Sequence, residues 1–256
     1  MTLTDEDFQA ISDMVLKVVL EEYSSLIISL INEGFHENYS GNEKIVFYQN
    51  ENYLKPQDEK EGHYGFGFAG YGKMQKKYLL ECKSSNVSSV LIRIFQYDPN
   101  IVLKDGGVQR NVLYVKFSNA AVIFLRSEKE IPNIVQNTIG TSRGKENYRI
   151  PVLKAQRYTL EEILKKHLLL LIPFYIVTYE SCFSEYEKNE EKLETLKWEY
   201  KYIKSYLEQL CQDKEIDEYT KYKIYHMSNE VVQCIAKNHP KVEKVVKDIM
   251  GECAID

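Results

Sequence analysis

The sequence predicts an α/β fold, a mixed sheet flanked by helices, with a helical C-terminal region after it. Three observations carry that prediction. Apolar residues recur at helical spacing from Asp5 to about Asn32. Short apolar runs bounded by Gly, Ser, Asn or charged residues recur between positions 44 and 154, as strands do. From Thr159 onward helical patterning continues almost to the end of the chain.

In the first segment Thr4 reads as an N-cap with Asp7 in the first turn. Phe8, Ile11, Val15, Val18, Val19, Leu26 and Leu30 form the stripe of one or two helices. Gly34, Asn38, Ser40 and Gly41 read as a loop, and Lys44–Gln49 as a strand. The polar stretch 50–62 reads as an exposed loop. Tyr64–Gly72 (YGFGFAGYG) alternates Phe with Gly, which suits a strand with close backbone approach. Tyr78–Cys82 reads as its hairpin partner. A helix follows from about Ser88, with Val90, Leu91, Ile94, Phe95 and Tyr97 on one side, ending at Pro99. Strands follow at Asn111–Phe117, Ala120–Arg126 and Glu146–Lys154, the last placed on an edge because of Pro151.

Thr159-x-x-Glu162 is a capping box ahead of the C-terminal helices. The run His167–Tyr179 is too short to span a membrane and is interrupted by Pro173, so a buried helix pair is expected there. Further breaks fall at Gln212–Asp217 and Asn238–Pro240. Leu193, Leu196, Tyr200, Ile203 and Leu207 mark the inner stripe of a helix that also offers a surface for self-association. The expected division is a core with its N-terminal helix over 1–157 and the helical region over 158–256.

Composition narrows the function classes. The chain has 256 residues, 44% hydrophobic and 28% charged, with net charge −5. That is an ordinary globular balance with no global basic field. A nucleic-acid partner therefore requires a local Lys/Arg patch. Cys82, Cys182, Cys211, Cys234 and Cys253 are scattered and contain no C-x-x-C pair, which fits a reducing cytoplasm rather than a zinc cluster or disulfide framework. The acidic N-terminus does not read as a signal peptide.

The stretch YLLECKSS carries the chemistry. Residues i and i+2 of a strand share a side, so Glu81 and Lys83 face one cleft and Cys82 the other. A carboxylate holds Mg²⁺, and a nearby Lys orients water or offsets charge developing on phosphate. On spacing alone, a solvated surface strand is the better account of E-x-K. The apolar residues before Glu81, and the helix bearing Arg93 and Gln96 after it, shift the balance toward a site. Arg93 and Gln96 lie three apart, hence on one side, where they suit phosphate contact or support of the Glu81 strand as well as a solvated face.

With its flanks, YLLECKSS…SSVLIRIFQYD…VKFSNAAVIFLRSEKEIP…YRIPVLKAQRYTLEEILKKHLLLLIPFYIVTYE resembles the recombination-promoting nuclease and transposase-like family of the PD-(D/E)XK superfamily, most of all its clostridial-type members. SNEVVQCIAKNHPKVEKVVKDIMG resembles their C-terminal helices, so the likeness spans about residues 5 to 251. It implies a PD-(D/E)XK-like core and a metal-dependent DNA endonuclease that promotes recombination, with Mg²⁺ (or Mn²⁺ or Ca²⁺) as cofactor and DNA as partner. It also implies that Glu81 binds metal, that the Cys82 backbone carbonyl assists, and that Lys83 serves catalysis. The family's metal-binding Asp in the preceding strand falls on Gly65. Three readings follow. The chain is an inactive relative acting as a DNA- or protein-binding module; or Asp58, Glu59, Glu61 or Glu22 supplies the second carboxylate; or that strand aligns differently.

Overall fold

A computed structural model describes residues 5–22, 25–40, 45–48, 64–68, 77–83, 91, 94, 108–109, 112–113, 119–126 and 131–251. The chain divides into two compact units, one formed by Ile28–Lys154 and the other by Met1–Ile27 together with Ala155–Asp256.

The first unit is built on a six-stranded sheet in the order β1-β2-β3-β6-β8-β7. Its strands are β1 (Ile45–Tyr48), β2 (Tyr64–Phe68), β3 (Lys77–Lys83), β6 (Asn119–Phe124), β7 (Ile134–Thr141) and β8 (Gly144–Lys154). A separate two-stranded ribbon pairs β4 (Val108–Gln109) with β5 (Val112–Leu113). The expected hairpin of the YGFGF strand and the YLLEC strand is present, antiparallel, with β1 added outside it. On the other side β3 runs parallel to β6, and β6 parallel to β8, so the sheet is mixed.

The central strands are covered on both faces, as parallel strands require. Leu79, Ala120, Val122, Phe124 and Ile150 form one buried layer, which Leu91 and Ile94 cover. Leu91 and Ile94 are both helical and three residues apart, which matches the stripe expected there. The opposite face meets the helix Leu26–Phe35. Gly34, expected in a loop, lies instead in this helix's last turn. A Cβ at Gly34 would stand 3.0 Å from Leu153 and 3.9 Å from Ala121, so glycine here lets the helix approach the sheet without displacing the Leu153 side chain.

Two strand expectations change. The sequence gives no sign of β7, which exposes one side throughout and on the other buries only Val135 fully. And β8 is not an edge strand: it lies between β6 and β7. Pro151 is tolerated because it sits where β8 changes partners. β7 pairs with residues up to Pro151, while β6 pairing begins only at Val152. The Val152 N–H is directed at Asn133 O on the β7 side (2.9 Å), so the N–H that Pro151 lacks would have pointed toward β6 before that ladder starts.

The second unit is helical. α1 (Asp5–Glu22) packs on α6 (Glu218–Ile235), and Phe8 meets Phe174 edge-on. With α2, the helix Leu26–Phe35 that covers the sheet, the stretch Asp5–Asn32 forms two helices. α3 (Leu160–Lys165) begins at the expected capping box: Thr159 Oγ1 accepts from the Glu162 N–H, and Glu162 accepts from the Thr159 N–H. The run after His167 is buried as expected, but it is one 3₁₀ segment, Leu169–Cys182, rather than a helix pair. Leu169 through Val177 are all buried, so no polar face imposes an α period, and Pro173 withholds a donor. α4 (Phe183–Tyr186), α5 (Glu190–Gln212), α6 and α7 (Pro240–Met250) follow; the breaks before α6 and α7 fall where expected, while the one between α4 and α5 was not foreseen. Leu193, Leu196, Tyr200, Ile203 and Leu207 all point inward from α5. Among the described residues no helix is long and apolar enough to cross a membrane.

Candidate functional site

β3 ends at the predicted site. Tyr78, Leu79 and Leu80 are buried at its start because the strand has neighbours on both edges and cover on both faces. Glu81, Cys82 and Lys83 form its last three positions. The register aligns Glu81 with Val122 and Val152, and Lys83 with Phe124 and Lys154. Cys82 aligns with Ile123, in the alternate set. The three parallel strands therefore end together, and Glu81 and Lys83 fall in one alternating set, as i, i+2 spacing requires.

Gly65 aligns with Leu79 across the β2–β3 ladder. Paired residues belong to the same side of a sheet, so position 65 falls in the set of Glu81 and lies diagonal to it. Diagonal neighbours on adjacent strands are roughly 7–8 Å apart.

Sequence reasoning missed Lys154. This lysine is 5% exposed at the end of β8, in the register row of Lys83. Its Nζ donates to the Ile131 carbonyl and to Asn133 Oδ1 (3.1 Å). A buried ammonium must be hydrogen-bonded to be tolerated, and this one ties the segment before β7 to the end of β8. The available signal was the same as at Glu81: a charged residue that closes an apolar strand, here V-L-K.

The alternate face of β3 carries a polar group of its own. The Tyr78 hydroxyl, 1% exposed, contacts Tyr39 Oη (2.6 Å) and donates to Glu37 Oε1 (3.1 Å). Burial, then the bond to Tyr39, pushes the Tyr78 phenol far above its ordinary range. It is a fixed donor, not an acid or base at neutral pH.

Of the other predicted residues, Glu22 is the last residue of α1, in the helical unit. Asp58, Glu59, Glu61, Arg93 and Gln96 lie outside the described residues. Among the described residues no three His, Cys, Asp or Glu side chains gather as a metal group. Compared with family models, curated proteins and solved structures, the chain matches none.

Proposed function

We propose that the chain is a DNA endonuclase-type protein of the PD-(D/E)XK arrangement, working at the end of β3, and that Gly65 leaves it a weak catalyst. One observation supports this most. Position 65 belongs to the same alternating set as Glu81 and sits one diagonal step from it, where the resemblance calls for a second carboxylate. The layout of a strand ending in E-x-K followed by helical Leu91 and Ile94 supports it too.

The donor set in this row fits a divalent cation only in part. Glu81 and the Cys82 carbonyl supply one carboxylate and one neutral oxygen. Mg²⁺ is usually held by one or two carboxylates, substrate phosphate oxygens and waters, so the set lies at the lower limit of charge. Asp58, offered by the sequence, would complete it. The metal, when bound, supplies Lewis acidity toward the phosphate. Lys83 offsets charge developing on the phosphate oxygens and orients the attacking water. Arg93 and Gln96 bind the phosphate or brace the Glu81 strand. Lys154 acts through position, holding residues 131–133 against the strand ends.

The second reading is an inactive relative that keeps the fold as a DNA- or protein-binding module, and Gly65 is what favours it. Plasmid nicking with Mg²⁺ or Mn²⁺ separates the two. Nicking that Glu81→Ala abolishes supports the first, and nicking that it leaves unchanged removes Glu81 from the mechanism. If the wild type is inert, Gly65→Asp is the decisive variant: restored nicking supports the vacated-ligand account, and continued inertness refutes it.

A further inference from the structure

The chain has a single tryptophan, and it stands on the outside. Trp198 is 64% exposed on α5, and Tyr202, one turn further on, is 47% exposed. Large aromatics normally contribute their area to a core. These two are instead stacked on each other, ring centroids 5.6 Å apart and planes 12° apart. The i, i+4 spacing on a 23-residue helix fixes them as a preformed flat surface.

The charge around them changes sign along the helix. The first turns are acidic, with Glu190, Glu191 and Glu194. Around the aromatic pair the charges are Lys197, Lys201 and Lys204, against Glu199 and, one turn before Trp198, Glu194. Glu199 is engaged elsewhere, by the Tyr179 hydroxyl (2.5 Å). Lys197 pairs with Glu194 (3.1 Å), and exposed Lys201 makes no ion pair among the described residues. Two occupants suit an aromatic surface of this kind, a second copy of the chain or the face of a nucleobase. Area decides between them. Aromatic side chains carry roughly 150–250 Å² each, so this pair leaves on the order of 200 Å² uncovered. A stable protein interface needs about 800 Å² on each partner. One or two unstacked bases need no more than the pair offers, and the lysines complement the adjoining phosphates.

We infer that Trp198 and Tyr202 form a stacking platform for single-stranded DNA, with Lys201 contacting its backbone. The inference rests on the nuclease reading only for the choice of DNA as the polymer. It deepens that reading by adding a contact for unpaired strand outside the candidate catalytic row.

Because Trp198 is the only tryptophan, it reports on its own occupancy. The full chain is titrated with a fluorescein-labelled 15-nucleotide oligothymidylate in EDTA, reading tryptophan emission and oligonucleotide anisotropy together. Emission is expected to be quenched along the same curve as anisotropy rises, and binding to weaken steeply with salt. Tyr202→Ala weakens binding about tenfold, while Tyr202→Phe, which keeps the ring, restores it. Lys201→Glu weakens binding and flattens the salt dependence. Anisotropy that rises without quenching places the strand elsewhere and overturns the proposal. So does no binding at all, or tryptophan burial that tracks protein concentration alone with a dimer mass in sedimentation. Glu81→Ala keeps the two proposals apart: it is expected to abolish nicking yet leave the quenching curve unchanged.

Discussion

Each unit buries a tyrosine hydroxyl against another tyrosine and a glutamate, by different routes. In the sheet unit, Tyr78 on β3 meets Tyr39 and Glu37, which lie 39 and 41 residues earlier in the chain. In the helical unit, Tyr179 meets Tyr175 (3.0 Å), four residues away, and donates to Glu199 (2.5 Å), twenty away. Burial, then the partner bonds, raises both hub phenols far above the ordinary range. A third phenol, Tyr200, packs beside Tyr175 with its hydroxyl buried and, among the described residues, no hydrogen-bond partner. The first network joins residues far apart in the chain. The second forms largely within sequence-local helical structure and still leaves one donor unserved.

Replacing tyrosine by phenylalanine in turn breaks this comparison at its strongest point first. Tyr179→Phe removes a short bond to a carboxylate, and such bonds contribute about 1.5–3 kcal/mol. The unfolding midpoint in urea, followed by circular dichroism, should fall by the most in this variant. Tyr78→Phe loses a longer bond to Glu37 and a neutral one to Tyr39, so its cost should be smaller, about 1–2 kcal/mol. If Tyr78→Phe proves the costlier, the non-local network is the stronger of the two and the ranking argued from bond length fails.

Asp217 offers a smaller effect with a pH signature. It caps α6, accepting from the Thr220 N–H at 2.6 Å. The Thr220 hydroxyl and then its N–H hold this carboxyl below its usual range. A depressed carboxyl stabilises the fold above its unfolded pKa of about 3.9, and that contribution is lost as pH falls through its lower folded value. Asp217→Ala should therefore cost about 1 kcal/mol at pH 7. The difference from wild type should shrink below pH 4 in thermal melts across pH, and a constant difference would rule out the cap's charge. Tyr200→Phe comes last. Removing an unsatisfied buried hydroxyl costs nothing in bonds, so stability should stay within about 0.5 kcal/mol of wild type or rise. A loss above 1 kcal/mol in the same urea titration would mean that the hydroxyl is served.

The same contrast explains what the sequence disclosed. The helical unit was legible because its signals are local: the Thr159 box, the breaks at Gln212–Asp217 and Asn238–Pro240 and the α5 stripe each act within a turn or two. Central strands β3 and β6 were legible as apolar runs. β7 was not, because its inner side mixes Val135 and Ile139 with Asn137 and Thr141 and leaves no apolar alternation to read. Pro151 misled because its meaning depends on which neighbour β8 has at that residue, a fact of register. At the candidate site, the kinship of Glu81 and Lys83 follows from spacing alone. The row that adds Lys154, and the diagonal from Gly65 to Glu81, exist only once the strands are paired.

The partner change within β8 has a practical side. Only its last three residues join the parallel ladder, while the rest form a hairpin with β7 that turns at Ser142 and Arg143. Thr141 Oγ1 closes that turn, accepting from the Arg143 N–H and donating to the Gly144 carbonyl. The residues around the turn are exposed and contribute nothing to the buried layer. An epitope or fluorophore-binding peptide inserted between Ser142 and Arg143 would extend a hairpin that already ends in solvent. The sheet unit thus carries its own attachment handle, by which it can be tethered or labelled at the end of the hairpin away from the strand-end row.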